Sequence, residues 1–244
     1  MPHFFAHRPR SLALFRKEAN ARHHFLWETI NAVVYLLGGA IFVFGSIFFF
    51  PTLSAWQDVG AAAFVLGSVL YLIVTAHDFA EVMRHCRADR KDSSLRRKFD
   101  LSAATAYLTG TVLFTVGSAF FLSAIDWTEA GAWCFIIGSG LFLFGSTINI
   151  LQIVFTGNII TLQLMNLTAV NFVVGSVLFC VASVPYLWSL QTSADRHLLD
   201  TFLAWLFVVG SALFVVGGFF NYWRAWLLAR RAILSEAMVA ARNS

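Results

Sequence analysis

Asp78, Asn149 and Asn221 share one offset: each stands eleven residues after a glycine, Gly67, Gly138 and Gly210 respectively. A carboxylate and two amides at the same place in three repeated helices would converge on a common axis and form a small polar site. Polar side chains inside apolar helices are the first place to look for function. The plainer reading is that the three cap or hydrogen-bond neighbouring helices near the interface. His77, Glu81 and His85 lie at i, i+4 and i+8 and share one face of a continuing helix. Such a ladder has the residue types of a metal site, with Asp78, His23 and His24 as further ligands. Arg84 sits beside it, though, and the spacing arises readily by chance, so solvated histidines are expected and no metal ligand is assigned. Glu28, beside Trp27, suits the positive end of a first-turn helix dipole; a proton-carrying role is the alternative. Asn166 and Asn171 do not share a face well and are expected to serve helix contacts.

No phosphate-cradling GxxxxGK[ST], no HExxH and no GxSxG nucleophile elbow occurs. Asp126, Glu129, Asp195 and Asp200 read as ordinary loop acids. No catalytic residue and no cofactor are expected, and the chain is expected not to be an enzyme.

The elements that must position these groups are membrane spans. Only 12% of the 244 residues are Asp, Glu, Lys or Arg, about half of the roughly 25% usual in a soluble domain. There are 26 Phe against five Tyr, and the mean hydropathy is +0.73. Segments 29–57, 59–77, 101–125, 130–194 and 201–223 carry no charge. A spanning helix needs about 20 apolar residues, so 130–194 must fold back once, near Thr156-Gly157-Asn158. The predicted spans are 28–50, 58–80, 101–124, 130–153, 163–187 and 201–224. Cys86, Cys134 and Cys180 form no disulfide framework and read as reduced thiols.

The basic residues set the orientation. Arg8, Arg10, Arg16, Lys17 and Arg22 precede the first span. Arg84, Arg87, Arg90, Lys91, Arg96, Arg97 and Lys98 lie between the second and third, and Arg224, Arg230, Arg231 and Arg242 end the chain. Arg196 is the only one of the 17 on the other side. By the positive-inside rule both termini are cytoplasmic. The basic run at 81–100 reads as a topology determinant beside anionic lipid, and nucleic acid is not an expected partner. Trp27, Trp56, Trp127, Trp188, Trp223 and Trp226 fall near span ends, where indoles favour the interface.

One pattern recurs in all six spans. Gly38-Gly39 is followed by Phe42 and then Gly45-Ser46; Gly110-Thr111 by Phe114 and Gly117-Ser118. Gly138-Ser139 is followed by Phe142 and Gly145-Ser146; Gly210-Ser211 by Phe214 and Gly217-Gly218. Segments 67–75 and 175–183, opening with Gly67-Ser68 and Gly175-Ser176, are looser copies, with Val74 and Ala182 at the second glycine position. Seven residues are close to two helical turns, so both small pairs lie on one face. In lipid, such faces let helix backbones approach closely. The fold expected is therefore an all-α integral membrane protein of six transmembrane helices, made of three tandem hairpins as pseudo-threefold parallel repeats. Its parts are a basic segment 1–26, hairpin 27–80, basic loop 81–100, hairpin 101–155, hairpin 161–225 and tail 226–244.

The second helix of each hairpin reads Phe64-Val65-Leu66-Gly67-Ser68-Val69-Leu70-Tyr71, Phe135-Ile136-Ile137-Gly138-Ser139-Gly140-Leu141-Phe142 and Phe207-Val208-Val209-Gly210-Ser211-Ala212-Leu213-Phe214. In this the chain resembles the YrhK-like domain of bacteria, as three copies over about residues 25–225. First helices of that domain tend to carry an Asn before the Gly-Ser, which Asn31 and Asn171 match and the middle copy lacks. The resemblance implies the bacterial inner membrane and supplies no catalytic residue.

Two functional readings follow. The first is a structural or accessory component that packs with itself or with a membrane partner complex. The second is a small transporter or channel for a neutral solute or ion, which a polar cavity lined by Ser46, Ser68, Thr111, Ser118, Ser139 and Ser211 would favour. An enzyme or redox subunit is the weakest reading, because paired His, exposed nucleophiles and reactive Cys are lacking.

Overall fold

The computed structural model describes residues 21–88, 95–153, 159–188 and 193–242. The basic segment before residue 21, residues 89–94 of the basic loop and the break expected at Thr156-Gly157-Asn158 lie outside them. Six helices account for nearly all of the described chain: α1 (Ala21–Ile47), α2 (Gln57–Ala88), α3 (Leu95–Phe120), α4 (Thr128–Ile153), α5 (Ile159–Ser183) and α6 (Ser193–Arg242). No strand occurs among the described residues. All six helices are long and apolar enough to cross a membrane.

The helices outrun the apolar stretches. α2 continues past residue 80 to Ala88, α3 starts at Leu95, and α6 reaches Arg242. Apolarity limits a membrane crossing, whereas propensity limits a helix. The flanking residues, such as Glu81, Met83, Arg84, Arg97 and Lys98, are good helix formers with no Gly or Pro among them. The opposite ends stop sharply. α1 tightens through Phe48 N–H to Gly45 O (3.1 Å) and Phe49 N–H to Ser46 O (3.2 Å), then meets Pro51, which has no N–H to continue the ladder. α5 ends in the same way before Pro185. Between α3 and α4 the chain reverses through Asp126, the one described non-glycine residue with positive φ (50°), a conformation Asp tolerates. Trp127 N–H to Phe120 O (3.1 Å) closes that turn.

Each helix packs on its neighbours in sequence and α6 returns to α1, so the six close into a ring. Within α1/α2, α3/α4 and α5/α6 the helices run antiparallel and meet glycine to glycine. A Cβ on Gly67 would lie 3.0 Å from the carbonyl of Gly38; on Gly138, 3.1 Å from that of Gly110; on Gly175, 3.0 Å from that of Gly210. A second such approach joins Gly60 to Gly45 and Gly131 to Gly117. The ring closes between α6 and α1 where Ser46 Oγ and Ser211 Oγ stand 3.2 Å apart and where Gly218 faces the Tyr35 ring. Between α2 and the α3–α4 turn, Asp58 accepts bonds from the Ser123 N–H (2.8 Å) and from its hydroxyl.

Aromatic rings fill the interior. They recur every seven residues: Tyr35, Phe42 and Phe49 on and after α1; Tyr107, Phe114 and Phe121 on and after α3; Phe172, Phe179 and Tyr186 on and after α5. From the even helices, Phe64, Phe135 and Phe207 form a triangle with centroid separations of 6.2, 5.9 and 6.4 Å. Phe179 packs at a tilt against Phe114 (5.6 Å, 51° between planes) and edge-on against Phe207 (5.3 Å). The outer surface is apolar too, with Leu37, Phe44, Leu66, Ile137, Phe144 and Val170 exposed.

Candidate functional site

The small residues that recur along the sequence sit inside these helix contacts. Besides the glycine pairs above, Gly145 faces the Tyr107 ring, and Gly217 faces Asn171 at 3.3 Å. Ser46, Ser68, Ser118, Ser139, Ser176 and Ser211 are fully buried. The hydroxyls of Ser46, Ser118 and Ser176 turn back to the carbonyls of Phe42 (2.7 Å), Phe114 (2.6 Å) and Phe172 (2.8 Å) on their own helices. Thr111 does the same to Tyr107 (2.7 Å). These hydroxyls satisfy themselves locally, as Ser and Thr do in apolar surroundings. They border the ring-filled centre of the bundle, while the hydroxyls of Ser68 and Ser139 are buried without a hydrogen-bond partner among the described residues.

Polar side chains gather one to two turns beyond the last interior rings. The stripe that carries Phe64 and Tyr71 on α2 arrives at Asp78. On α4, Phe135 and Phe142 lead to Asn149, and on α6 Phe207 and Phe214 lead to Asn221. All three are buried, at 2%, 1% and 9% exposure. Tyr107, on α3 between α2 and α4, connects two of them. Its hydroxyl accepts a hydrogen bond from Asn149 Nδ2 (2.9 Å) and stands 3.2 Å from Ser146 Oγ, and the Asp78 carboxylate lies within electrostatic reach of it. Asn221 occupies the equivalent sequence position on α6. The Oδ1 atoms of Asn149 and Asn221 have no hydrogen-bond partner among the described residues.

Tyr35 stacks on Tyr71 (4.4 Å, 11° between planes) and lies 6.5 Å from Phe172, which is 6.3 Å from Tyr107. This layer separates the polar group from the phenylalanine core. One turn beyond Asp78 and Asn221, Glu81 and Arg224 are also buried, at 4% and 5%. Arg224 reads in the sequence as a cytoplasmic tail charge, but the structure places it inside the bundle. A heptad register drawn from Phe64, Phe135 and Phe207 is the signal that leads to this layer.

Other candidates separate. His77 packs edge-on against Trp27 (4.6 Å, 65°), and the side chains of His23, His24 and His85 lie outside those described. Among the described residues no group of three His, Cys, Asp or Glu is placed to hold a metal ion. Asn31 is buried, whereas Asn171 is partly exposed and bonds its own helix at the Leu167 carbonyl (2.7 Å). The two stand at different offsets from their glycines and are not equivalent. Cys86, Cys134 and Cys180 are free, partly buried thiols.

The sequence model of the family described as YrhK-like protein matches residues 26–83 and again residues 97–154. The first match runs from Leu26 in α1 to Met83 in α2 and includes the buried Glu81, and the second covers α3 from Arg97 and all of α4, including Asn149. No curated protein and no solved structure matches the chain. Each of the first two helix pairs of this protein thus matches the YrhK-like family model, as two copies in tandem.

Proposed function

We propose that this is a multi-pass inner-membrane protein with both termini in the cytoplasm, and that it serves as a non-enzymatic structural or accessory component. On this reading α5 and α6 (161–225) are a third YrhK-like copy, and the three hairpins are parallel repeats about a pseudo-threefold axis along the membrane normal. The repeated Gly-Ser/Phe/small-pair pattern in α5 and α6 supports the third copy. The near-complete segregation of Lys and Arg supports the orientation.

The triangle of Phe64, Phe135 and Phe207 carries the functional reading. Close-packed rings on the axis leave a solute no route along it, so the outward surface is what the protein offers to partners. In lipid, association there rests on packing and interhelical hydrogen bonds. The partner is a membrane protein complex or further copies of the chain. The alternative, a small transporter or channel for a neutral solute or ion, draws on the buried layer of Asp78, Asn149 and Asn221 and requires the triangle to part.

Native mass spectrometry on protein gently extracted from its own membrane tests the choice. A stable complex with other subunits or with itself is the expected result. Recovery as a lone monomer, together with solute or ion flux in proteoliposomes, would overturn the accessory reading in favour of transport.

A further inference from the structure

We propose that Trp127, Trp133, Asp126 and Glu129 form a binding site for a quaternary ammonium group of the choline type, on the turn between α3 and α4. With Thr128 and Ala130 they line one open cavity of about 410 Å³, at the end of the bundle away from the clustered basic residues. That volume lies within the range of small-ligand sites, roughly 300–1,000 Å³. Trp127 and Trp133 are 63% and 50% exposed, so two large indole surfaces stand uncovered beside one hollow. The turn that carries them is tied down. Trp127 N–H bonds Phe120 O (3.1 Å), the Trp127 ring lies 5.6 Å from that of Phe120, and Asp126 N–H bonds Leu122 O (2.9 Å). Asp58 on α2 holds Ser123, three residues before Asp126. A site on a fixed turn loses little ordering entropy when a ligand binds.

The lining selects the ligand. Indole faces attract a cation through the ring quadrupole, and Trp does so more strongly than Tyr or Phe. No Lys, Arg or His lines the cavity, so Asp126 and Glu129 bring negative charge to it with no base among the walls. Arg196, the one basic residue that the sequence places at this end, stands 3.9 Å from Asp200 on its own helix. A metal ion needs several oxygens converging on it, and among the described residues no group of three His, Cys, Asp or Glu is placed to supply them. A quaternary ammonium needs no such shell. It spreads its charge over apolar methyl groups, donates no hydrogen bond and rests against rings. Indoles that only anchor a helix at the interface need no carboxylates beside them. The site is independent of the accessory role. Its ligand is either the head of a lipid or a free amine, which share this chemistry.

The test is saturation-transfer NMR on the full-length protein in a detergent without a choline head, with choline chloride and its neutral tert-butyl analogue as probes. Choline is expected to bind saturably, about fivefold more tightly than the neutral analogue. Trp133→Leu and Glu129→Gln, both at exposed positions, are each expected to weaken choline about fivefold while leaving the unfolding temperature unchanged. Equal affinity for choline and the neutral analogue, or no saturable choline binding, would overturn the proposal. Choline binding unchanged in both variants would place the ligand elsewhere and overturn it equally. Repeating the titration in bilayer discs separates the two sources. Weaker choline binding in phosphatidylcholine than in phosphatidylethanolamine discs assigns the site to a lipid head, and equal binding assigns it to a free amine.

Discussion

The Tyr107 hydroxyl on α3 accepts a 2.9 Å hydrogen bond from the Asn149 side-chain amide on α4, and the same oxygen stands 3.2 Å from Ser146 Oγ. All three residues are buried. Tyr107→Phe keeps the ring and removes the acceptor, which leaves an amide donor unsatisfied. It is expected to destabilise the protein by about 1–3 kcal/mol. The pairing itself is checked by a double-mutant cycle on unfolding midpoints. With Asn149→Leu added, the combined loss should be smaller than the sum of the single losses, because no orphaned amide remains. Strict additivity would contradict the contact.

Two glycines on α4, two residues apart, should respond in opposite ways. A methyl group on Gly138 would meet the Phe114 ring at 2.7 Å and the Gly110 carbonyl at 3.1 Å, whereas one on Gly140 meets nothing within 4 Å. Gly138→Ala is therefore expected to lower stability by about 1–3 kcal/mol through overpacking. Gly140→Ala is expected to be neutral or slightly stabilising, since Ala favours a helix interior by up to ~1 kcal/mol over Gly. Thermal unfolding of the two variants side by side checks this.

Phe135 touches Phe64, Phe114, Phe121 and Phe207. Phe135→Ala should leave a cavity on the axis and cost about 3 kcal/mol or more. Phe144→Ala, on the outer face of the same helix, removes an exposed ring and should cost far less. Comparable losses in denaturant unfolding would mean that the rings are not a packed core.

The six long apolar helices were legible because apolar length is a property of composition. The glycine seams were legible because their spacing repeats. The inward stripe was not. In a soluble helix polarity separates the inner from the outer face, but here Phe142 faces the core and Phe144 faces outward, and both are Phe. Inside and outside differ in packing, and a sequence does not display packing. Arg224 was misplaced for a related reason. Counting charges at span ends assigns topology without asking which way a residue near the end points, and this one points inward. The helices run on past residues 80 and 224 because helix formers continue beyond the apolar stretches that mark the spans.

Orientation can be read by single-cysteine labelling in a background with Cys86, Cys134 and Cys180 replaced by Ala. A membrane-impermeant maleimide added to intact spheroplasts should label Glu129→Cys, on the outer turn, and spare Lys98→Cys until the membrane is broken. The reverse pattern would invert the topology.

In the proposed accessory role, closure of the six helices on themselves blocks an axial route and leaves the outer surface for partners. Its most direct test is a cross-link between the first and last helices, since Ser46 Oγ and Ser211 Oγ lie 3.2 Å apart at the α1–α6 contact. In the same cysteine-free background, Ser46→Cys with Ser211→Cys should form an intramolecular disulfide under mild oxidation. After cleavage of the loop between α2 and α3, that bond should hold the two fragments together on a non-reducing gel. Fragments that separate under these conditions, or that join only between different molecules, would contradict a closed ring.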